Sequence, residues 1–270
     1  MPMLISVNLR ATEKAELPPF TGEHTRGIFF SMIAGSDLAM VLHEKPGIKP
    51  YSIKPLHPIT EKMNVKNNRW IIRKDMRLSF GIGILDTDIE DKILAEIVSS
   101  TKETIKIHQA TFYIESFEVY KKSNYEDLLP GFTSSFIGIM FKTPTFFGGH
   151  HPHLYPDATH LFTNLINIWN TFAEENIKIE KESFLGWVSE RVYIRHYNLK
   201  TREVRIKGSK IVGFKGMASY IIMDPDLEDA EYLLGLLRLG LISNVGLKRT
   251  YGMGVIKVYN LAKRQPISLT

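Results

Sequence analysis

The 270-residue sequence contains no cysteine. Disulfides, thiolate metal sites and a cysteine nucleophile are therefore excluded, and a cytoplasmic setting is expected. Long apolar runs are missing too. No stretch approaches the roughly 18 consecutive apolar residues of a membrane span, so no membrane association is expected. The opening "MPMLISVNLRATEK" is interrupted by Arg10 and Glu13 too early for a signal peptide. Neither sign of charge dominates: 34 Lys+Arg stand against 29 Asp+Glu, a net charge of +5, which is a mild lean towards polyanions and no more. Nucleotide-binding fingerprints are also lacking. "SFGIGIL" lies inside an apolar strand pattern, where Gly81 and Gly83 relieve packing instead of cradling a phosphate.

What is present describes a folded protein. Hydrophobic residues make up 44% and charged residues 23% of the chain, and its length suits two domains of about 130 residues each. "MLISVNLRA" alternates as a half-buried strand. "TRGIFFSMIAGSDLAMVLHE" carries Ile28, Met32, Ala39 and Leu42 at helical spacing, with Thr25 as N-cap and "GSD" as a break. The prolines of "KPGIKPYSIKPL" demand a loop leading to an edge strand. "NRWIIRKDMRLSFGIGIL" reads as a strand or hairpin arm. "DTDIEDKILAEIVSS" reads as an acidic-capped helix with Ile89, Ile93, Leu94 and Ile97 on one face, and "IKIHQATFYIESFEVYKK" as strand again.

The order β-α-β-β-α-β then repeats. "SSFIGIMFKTPTFF" is a strand, "ATHLFTNLINIWNTFAEE" a helix aligning Leu161, Leu165, Ile168 and Phe172, and the segment from "WVSERVYIRHY" to "ASYIIM" supplies two strands or more. "DPDLEDAEYLLGLLRLGLIS" is the second helix and "TYGMGVIKVYNL" the last strand. An α+β chain of two tandem ferredoxin-like (βαββαβ) domains with antiparallel sheets is predicted, spanning 1–125 and 126–270, with the boundary near "SNYEDLLPGF".

The segment "SNVGLKRTYGMGVIKV" joins that last helix to the last strand. Gly246, Gly252 and Gly254 surround Lys248 and Arg249, so successive N–H groups and two cations can face an anion. Alone, it reads equally as a charged turn. A second cationic stretch, "TREVRIKGSKIVGFKG", puts Arg202, Arg205, Lys207, Lys210 and Lys215 on a hairpin. There, alternation with Val204, Ile206 and Ile211 gathers several cations on one face, suited to RNA phosphates.

"MVLHEKPGIKPYSIKPL", "FKTPTFF", "HLYPDATHLFTNLINIWN" and "GLISNVGLKRTYGMGVIKV" together resemble the CRISPR repeat-processing endoribonucleases, in order and over essentially the whole chain. These are repeat-associated RNA-binding proteins with a glycine-rich loop. Where their loop has a further glycine, this chain has Asn244, a residue that tolerates the left-handed backbone. The resemblance implies an endoribonuclease that cuts precursor CRISPR RNA within the repeat. It implies no metal or other cofactor: a ribose 2′-hydroxyl attacks in line and leaves a 2′,3′-cyclic phosphate and a 5′-hydroxyl. Such chemistry asks for a base, an acid and a cation at the phosphorus.

The resemblance places the site's histidine at His43 and its lysine at Lys49, with Lys45 and Lys54 as neighbours; Arg26, at the start of the first helix, is a further candidate phosphate contact. The family's tyrosine is replaced in the first helix by Phe29 and Phe30, which leaves Tyr51 to take its part. Asn244, Gly246, Lys248, Arg249, Gly252 and Gly254, with Lys207 and Lys210, are the expected RNA contacts. Effector-complex subunits and a second copy of the chain are the further partners left open, and a non-catalytic repeat-binding subunit is the alternative function. His150, His151 and His153 of "GGHHPHLYP" invite a metal reading, with Asp157 and His160 nearby. Adjacent histidines on a flexible connection seldom close a metal site, so no metal is expected.

Overall fold

The computed structural model describes residues 2–268 apart from 35–36, 60–62, 101–102, 123, 130–133 and 226–227. The "GS" of the expected helix break, and much of the expected domain boundary, lie outside the described residues. The chain divides into two compact units. One holds Met3–Lys122 together with Thr250–Gly252; the other holds Met1–Pro2, Ser123–Arg249 and Met253–Thr270. Both are tandem ferredoxin-like units with antiparallel sheets.

In the N-terminal unit, β1 (Met3–Ala11), β3 (Tyr51–Pro58), β6 (Arg77–Ile84), β7 (Thr104–Ile107) and β8 (Ala110–Lys122) form one sheet in the order β3-β6-β1-β8-β7. Every neighbour is antiparallel, so β1 and β3 run in the same direction with β6 between them, the signature of a crossover through helix. The prolines of the preceding loop do lead to an edge strand, since β3 closes one side. Short strands β2 (Ala15–Leu17), β4 (Asn64–Lys66) and β5 (Arg69–Ile72) make a separate small sheet in the order β2-β5-β4. The stretch read as one arm is thus two strands, β5 and β6.

Alternation explains β1: Met3, Ile5, Val7, Leu9 and Ala11 are buried while their neighbours are not. That face is covered by α1 (Gly22–Met32), α2 (Leu38–Glu44) and α3 (Thr87–Ser99), whose Ile28, Phe29, Met32, Leu42, Ile93 and Ile97 join the same core. Each such fully buried aliphatic side chain stabilises the fold by about 1.5–3 kcal/mol. Helix α3 starts as expected, with Asp86 as N-cap accepting from Asp88 N at 3.1 Å. Helix α1 does not start at Thr25. It begins at Gly22, and the Thr25 hydroxyl donates back to the carbonyls of Thr21 and Gly22, both at 3.1 Å. The Thr21 hydroxyl is taken by Leu56 N of β3 at 2.9 Å, which ties the helix start to the edge strand.

The C-terminal unit repeats the plan. Strands β9 (Phe136–Thr145), β10 (Val192–Ile206), β11 (Ser209–Ile222), β12 (Ile256–Asn260) and β13 (Gln265–Ile267) pair in the order β10-β11-β9-β12-β13. Helices α4 (Ala158–Phe172) and α6 (Glu228–Ser243) are the crossovers. Leu161, Leu165 and Ile168 of α4 are buried as expected. An unexpected helix, α5 (Lys181–Arg191), precedes β10, so the segment starting "WVSER" is helix before it is strand. Its N-cap Glu180 accepts from the backbone of Glu182 at 3.2 Å and Ser183 at 2.6 Å.

Candidate active site and nucleic-acid interface

In the N-terminal unit, α1 and α2 bring two of the expected site residues together. Arg26 projects from α1, and its Nη2 lies 3.3 Å from Nδ1 of His43, an exposed residue in the last turn of α2. The same guanidinium donates through Nε to the Tyr51 hydroxyl at 3.3 Å. Its plane lies over two rings, with its central carbon 4.6 Å from the centroid of Phe30 and 4.7 Å from that of Tyr251. Arg26 thus packs against two rings while its Nη2 and Nε address an imidazole and a phenol. In a neutral His43, accepting at Nδ1 leaves the ring proton on Nε2, the nitrogen turned away from Arg26.

Tyr51 is 1% exposed and packs edge-on against Phe30. Burial pushes its phenol pKa up; the Arg26 charge and the hydrogen bonds from Arg26 and Thr250 oppose this without cancelling it. A raised pKa keeps the Tyr51 phenol protonated, so its hydroxyl can donate a hydrogen bond and does not serve as a base. Phe29 and Phe30 do not leave a gap where a tyrosine is missing: they form the ring cluster that seats Arg26 and Tyr51.

The lysines are more constrained than expected. Lys49 Nζ donates to the carbonyl of His43 at 2.7 Å and to that of Lys45, so it closes the C-terminal end of α2. Lys45 is paired with Asp86 at 2.9 Å. Lys54, on β3, lies against Gly81, where a Cβ would come 2.9 Å from its Cδ. Desolvation pulls the Lys54 ammonium down to about 7. Gly81 therefore does relieve packing, and what it makes room for is a lysine stem.

The glycine-rich segment of residues 243–254 is a built loop, and two of its expected contacts are part of its frame. Asn244 is fully buried at φ 57°, and its amide donates to the carbonyls of Met253 at 3.2 Å and Arg249 at 3.4 Å. Arg249 is 8% exposed, and its Nη1 donates to Ser243 O at 2.9 Å. The two adjacent cations differ: Lys248, at φ 58°, is exposed, while Arg249 is buried and donates to the loop's own carbonyl. Gly246 has φ 76° and donates its N–H to Asn164 Oδ1 at 2.7 Å. Gly254 has φ 74°, and a Cβ there would sit 1.7 Å from Val245 O, so only glycine lets these strands of the loop meet. Gly252, at φ 81°, lies against Pro55 and Gly22. Tyr251 and Asn164 were missed by the sequence reading; the aromatic inside a cationic loop was the available signal for the first, and the second had none.

On the β10–β11 hairpin the cations are split between two faces. Pairing Lys200 with Lys215 and Arg205 with Lys210 places Lys200, Arg202 and Lys215 on one side, and Arg205 and Lys210 on the other. Lys207 sits at the turn with φ 49°, and Lys210 is 3.5 Å from Glu203. The first group lines a 340 Å³ depression with Met140, Asn198, Gly216 and Met217. Burial, then Lys142 and Arg202, lower the pKa of Lys215. Crowded cations of this kind are relieved by an anion.

Fold and loop define a class, the tandem ferredoxin-like proteins with a glycine-rich loop before the last strand. Comparison with known proteins narrows it. Residues 139–256 match the family model described as CRISPR-associated endoribonuclease Cas6. A CRISPR-associated endoribonuclease Cas6 from Streptococcus thermophilus is 25% identical over 228 residues, 83% of this chain and 85% of that protein. One from Mycobacterium tuberculosis is 22% identical over 256 residues, 90% of this chain and 73% of that protein. Among solved structures, a Cas6 product complex superposes with TM-score 0.74 at 20% identity, covering 95% of this chain and 99% of that one. A Thermus thermophilus Cas6 does so with TM-score 0.67 at 21% identity, over 95% and 97%. At such identities the structural likeness carries the fold alone. The matched family model and the curated relatives are CRISPR-associated endoribonucleases, and the structural neighbours share this chain's fold. Among the described residues no helix is long and apolar enough to cross a membrane.

Proposed function

We propose that this chain is a metal-independent endoribonuclease that cuts precursor CRISPR RNA within the repeat, leaving a 2′,3′-cyclic phosphate and a 5′-hydroxyl. The observation that carries this is the line His43–Arg26–Tyr51, with both contacts at 3.3 Å. Transesterification by a neighbouring hydroxyl needs proton transfer and charge stabilisation at phosphorus, and an imidazole beside a guanidinium supplies both. Arg26 holds two roles in sequence. Before RNA binds, it donates to His43 Nδ1 and fixes the tautomer. A phosphate drawn to the guanidinium pulls it off the ring, because a charged bidentate acceptor outcompetes a neutral nitrogen. Nδ1 is then free to take up a proton, and His43 moves protons between the 2′-hydroxyl and the 5′-oxygen. Tyr51 donates to the phosphate oxygens instead of acting as base. Lys248 and the Lys200, Arg202 and Lys215 group hold the RNA backbone.

A labelled repeat RNA incubated with the protein in excess EDTA tests this. Cleavage with cyclic-phosphate ends on the upstream product is expected; a requirement for added metal, or 3′-hydroxyl ends, would reject it. The alternative, a non-catalytic repeat-binding subunit, is favoured by one observation: α1 carries Phe29 and Phe30 where the resemblance calls for a tyrosine. It would show as RNA retention without product under the same conditions.

A further inference from the structure

The connection from β9 to α4 gathers histidines that the RNA chemistry does not use. The structure supplies what a loop of histidines alone lacks, a carboxylate and a helical histidine fixed in place. The Phe147 and His153 backbones exchange two hydrogen bonds, each 3.0 Å, which clamp the connection to the end of the strand segment. The buried Tyr220 hydroxyl donates to Pro156 O at 2.6 Å. Asp157 then caps α4, its Oδ1 accepting from His160 N at 3.0 Å. These restraints leave the other carboxylate oxygen, Oδ2, 2.6 Å from His153 Nε2 and 2.8 Å from His160 Nδ1. The two imidazoles stack at 3.9 Å, only 8° from parallel.

Oδ2 is thus shared between ring nitrogens of two histidines. None of His153 Nε2, Asp157 Oδ2 or His160 Nδ1 has a properly directed hydrogen-bond partner among the described residues, although all three atoms are buried. One ligand atom from each of the three side chains lies within 4.8 Å of the other two. We propose that His153, Asp157 and His160 bind a single divalent transition ion of the zinc class, with the fourth position left to water. Two imidazoles and one carboxylate match the ligand preference of Zn²⁺ over Mg²⁺ or Ca²⁺. Ligand atoms about 2.1 Å from a tetrahedral ion stand roughly 3.3 Å apart, so on binding the contacts must open by roughly half an ångström and the two stacked rings must turn until their in-plane lone pairs converge. The ion would pin the strand-to-helix connection to the first turn of α4. It takes no part in cutting RNA, so this site stands or falls independently of the proposed function.

The test uses the full chain, stripped with chelator, titrated with Zn²⁺ against a chromogenic competitor and followed in parallel by thermal unfolding. One equivalent is expected to bind, and saturating Zn²⁺ to raise Tm by about 5 °C. Asp157→Asn retains an N-cap acceptor, so α4 keeps its start while the site loses its charge. This variant and His153→Ala should each lose the equivalent and the Tm rise, whereas the double variant His150→Ala/His151→Ala should keep both. Absence of a stoichiometric equivalent in the wild type would overturn the proposal. So would binding that survives Asp157→Asn and His153→Ala but disappears with His150→Ala/His151→Ala.

Discussion

Lys248 and Arg249 are neighbours in sequence, and their substitutions should do opposite things. The Arg249 guanidinium is buried and donates to Ser243 O at 2.9 Å, while Asn244 donates to Arg249 O at 3.4 Å. Arg249→Ala leaves the Ser243 carbonyl buried without this charged donor, which costs about 1.5–3 kcal/mol, and the lost packing of the aliphatic stem adds roughly another 1 kcal/mol. A total near 3 kcal/mol lowers Tm by roughly 10 °C in a unit of this size. Lys248→Ala removes an exposed charge and should leave Tm within about 1–2 °C of wild type. RNA binding across a salt series reverses the order: Lys248→Ala should flatten the dependence of log K on log salt by about one ion, and Arg249→Ala should not once the protein is folded. Thermal unfolding paired with filter binding from low to moderate salt reads both. An Arg249→Ala protein as stable as wild type but with a flattened salt slope would refute the inward assignment.

Three further outcomes follow from the same structure. Gly254→Ala forces a Cβ into Val245 O at a φ of 74° and should cost at least about 3 kcal/mol, measured by denaturant unfolding; a wild-type midpoint would contradict the loop closure. Lys54 has a folded pKa near 7 against an ordinary 10.5, so the unfolded state binds the extra proton between those values and stability should rise with pH across that window. Lys54 is only half-buried, so the slope falls well below the ~1.4 kcal/mol per pH unit of a fully desolvated group, and Lys54→Met should remove it; an unchanged slope would rule Lys54 out as its source. Lys45→Ala breaks a partly exposed pair with Asp86 and should cost no more than about 1 kcal/mol while leaving RNA affinity unchanged, since its ammonium is already engaged; a clear loss of affinity in a binding assay would restore it as an RNA contact.

The order of elements was legible because its signals are periodic. β1 alternates cleanly, α3 opens on an acidic cap, and the prolines before Tyr51 mark an edge strand. Helix α5 was not legible: only Phe184 and Val188 are buried, with Gly186 between them, so no apolar stripe announces it. Thr25 misled because a threonine hydroxyl serves as cap or as back-bonder, and here it donates back to the carbonyls of Thr21 and Gly22. The same limit governs the site. Sequence assigned His43 and Tyr51 to one site through resemblance and named Arg26 as a phosphate contact, but that one guanidinium touches both of the others is a matter of side-chain packing. Which of two adjacent loop cations faces inward depends on the 3₁₀ turn at Arg249–Tyr251, which no local pattern encodes. The histidine connection was set aside because adjacent histidines on a flexible connection seldom close a metal site, although Asp157 and His160 were noted nearby.

The central claim is that His43, oriented by Arg26, moves protons in RNA cleavage. The most direct test is single-turnover cleavage of a repeat RNA at saturating protein, in EDTA, by the wild type and His43→Ala. The account predicts a rate lower by on the order of 10²-fold or more with RNA affinity preserved. An unchanged rate would remove His43 from the chemistry.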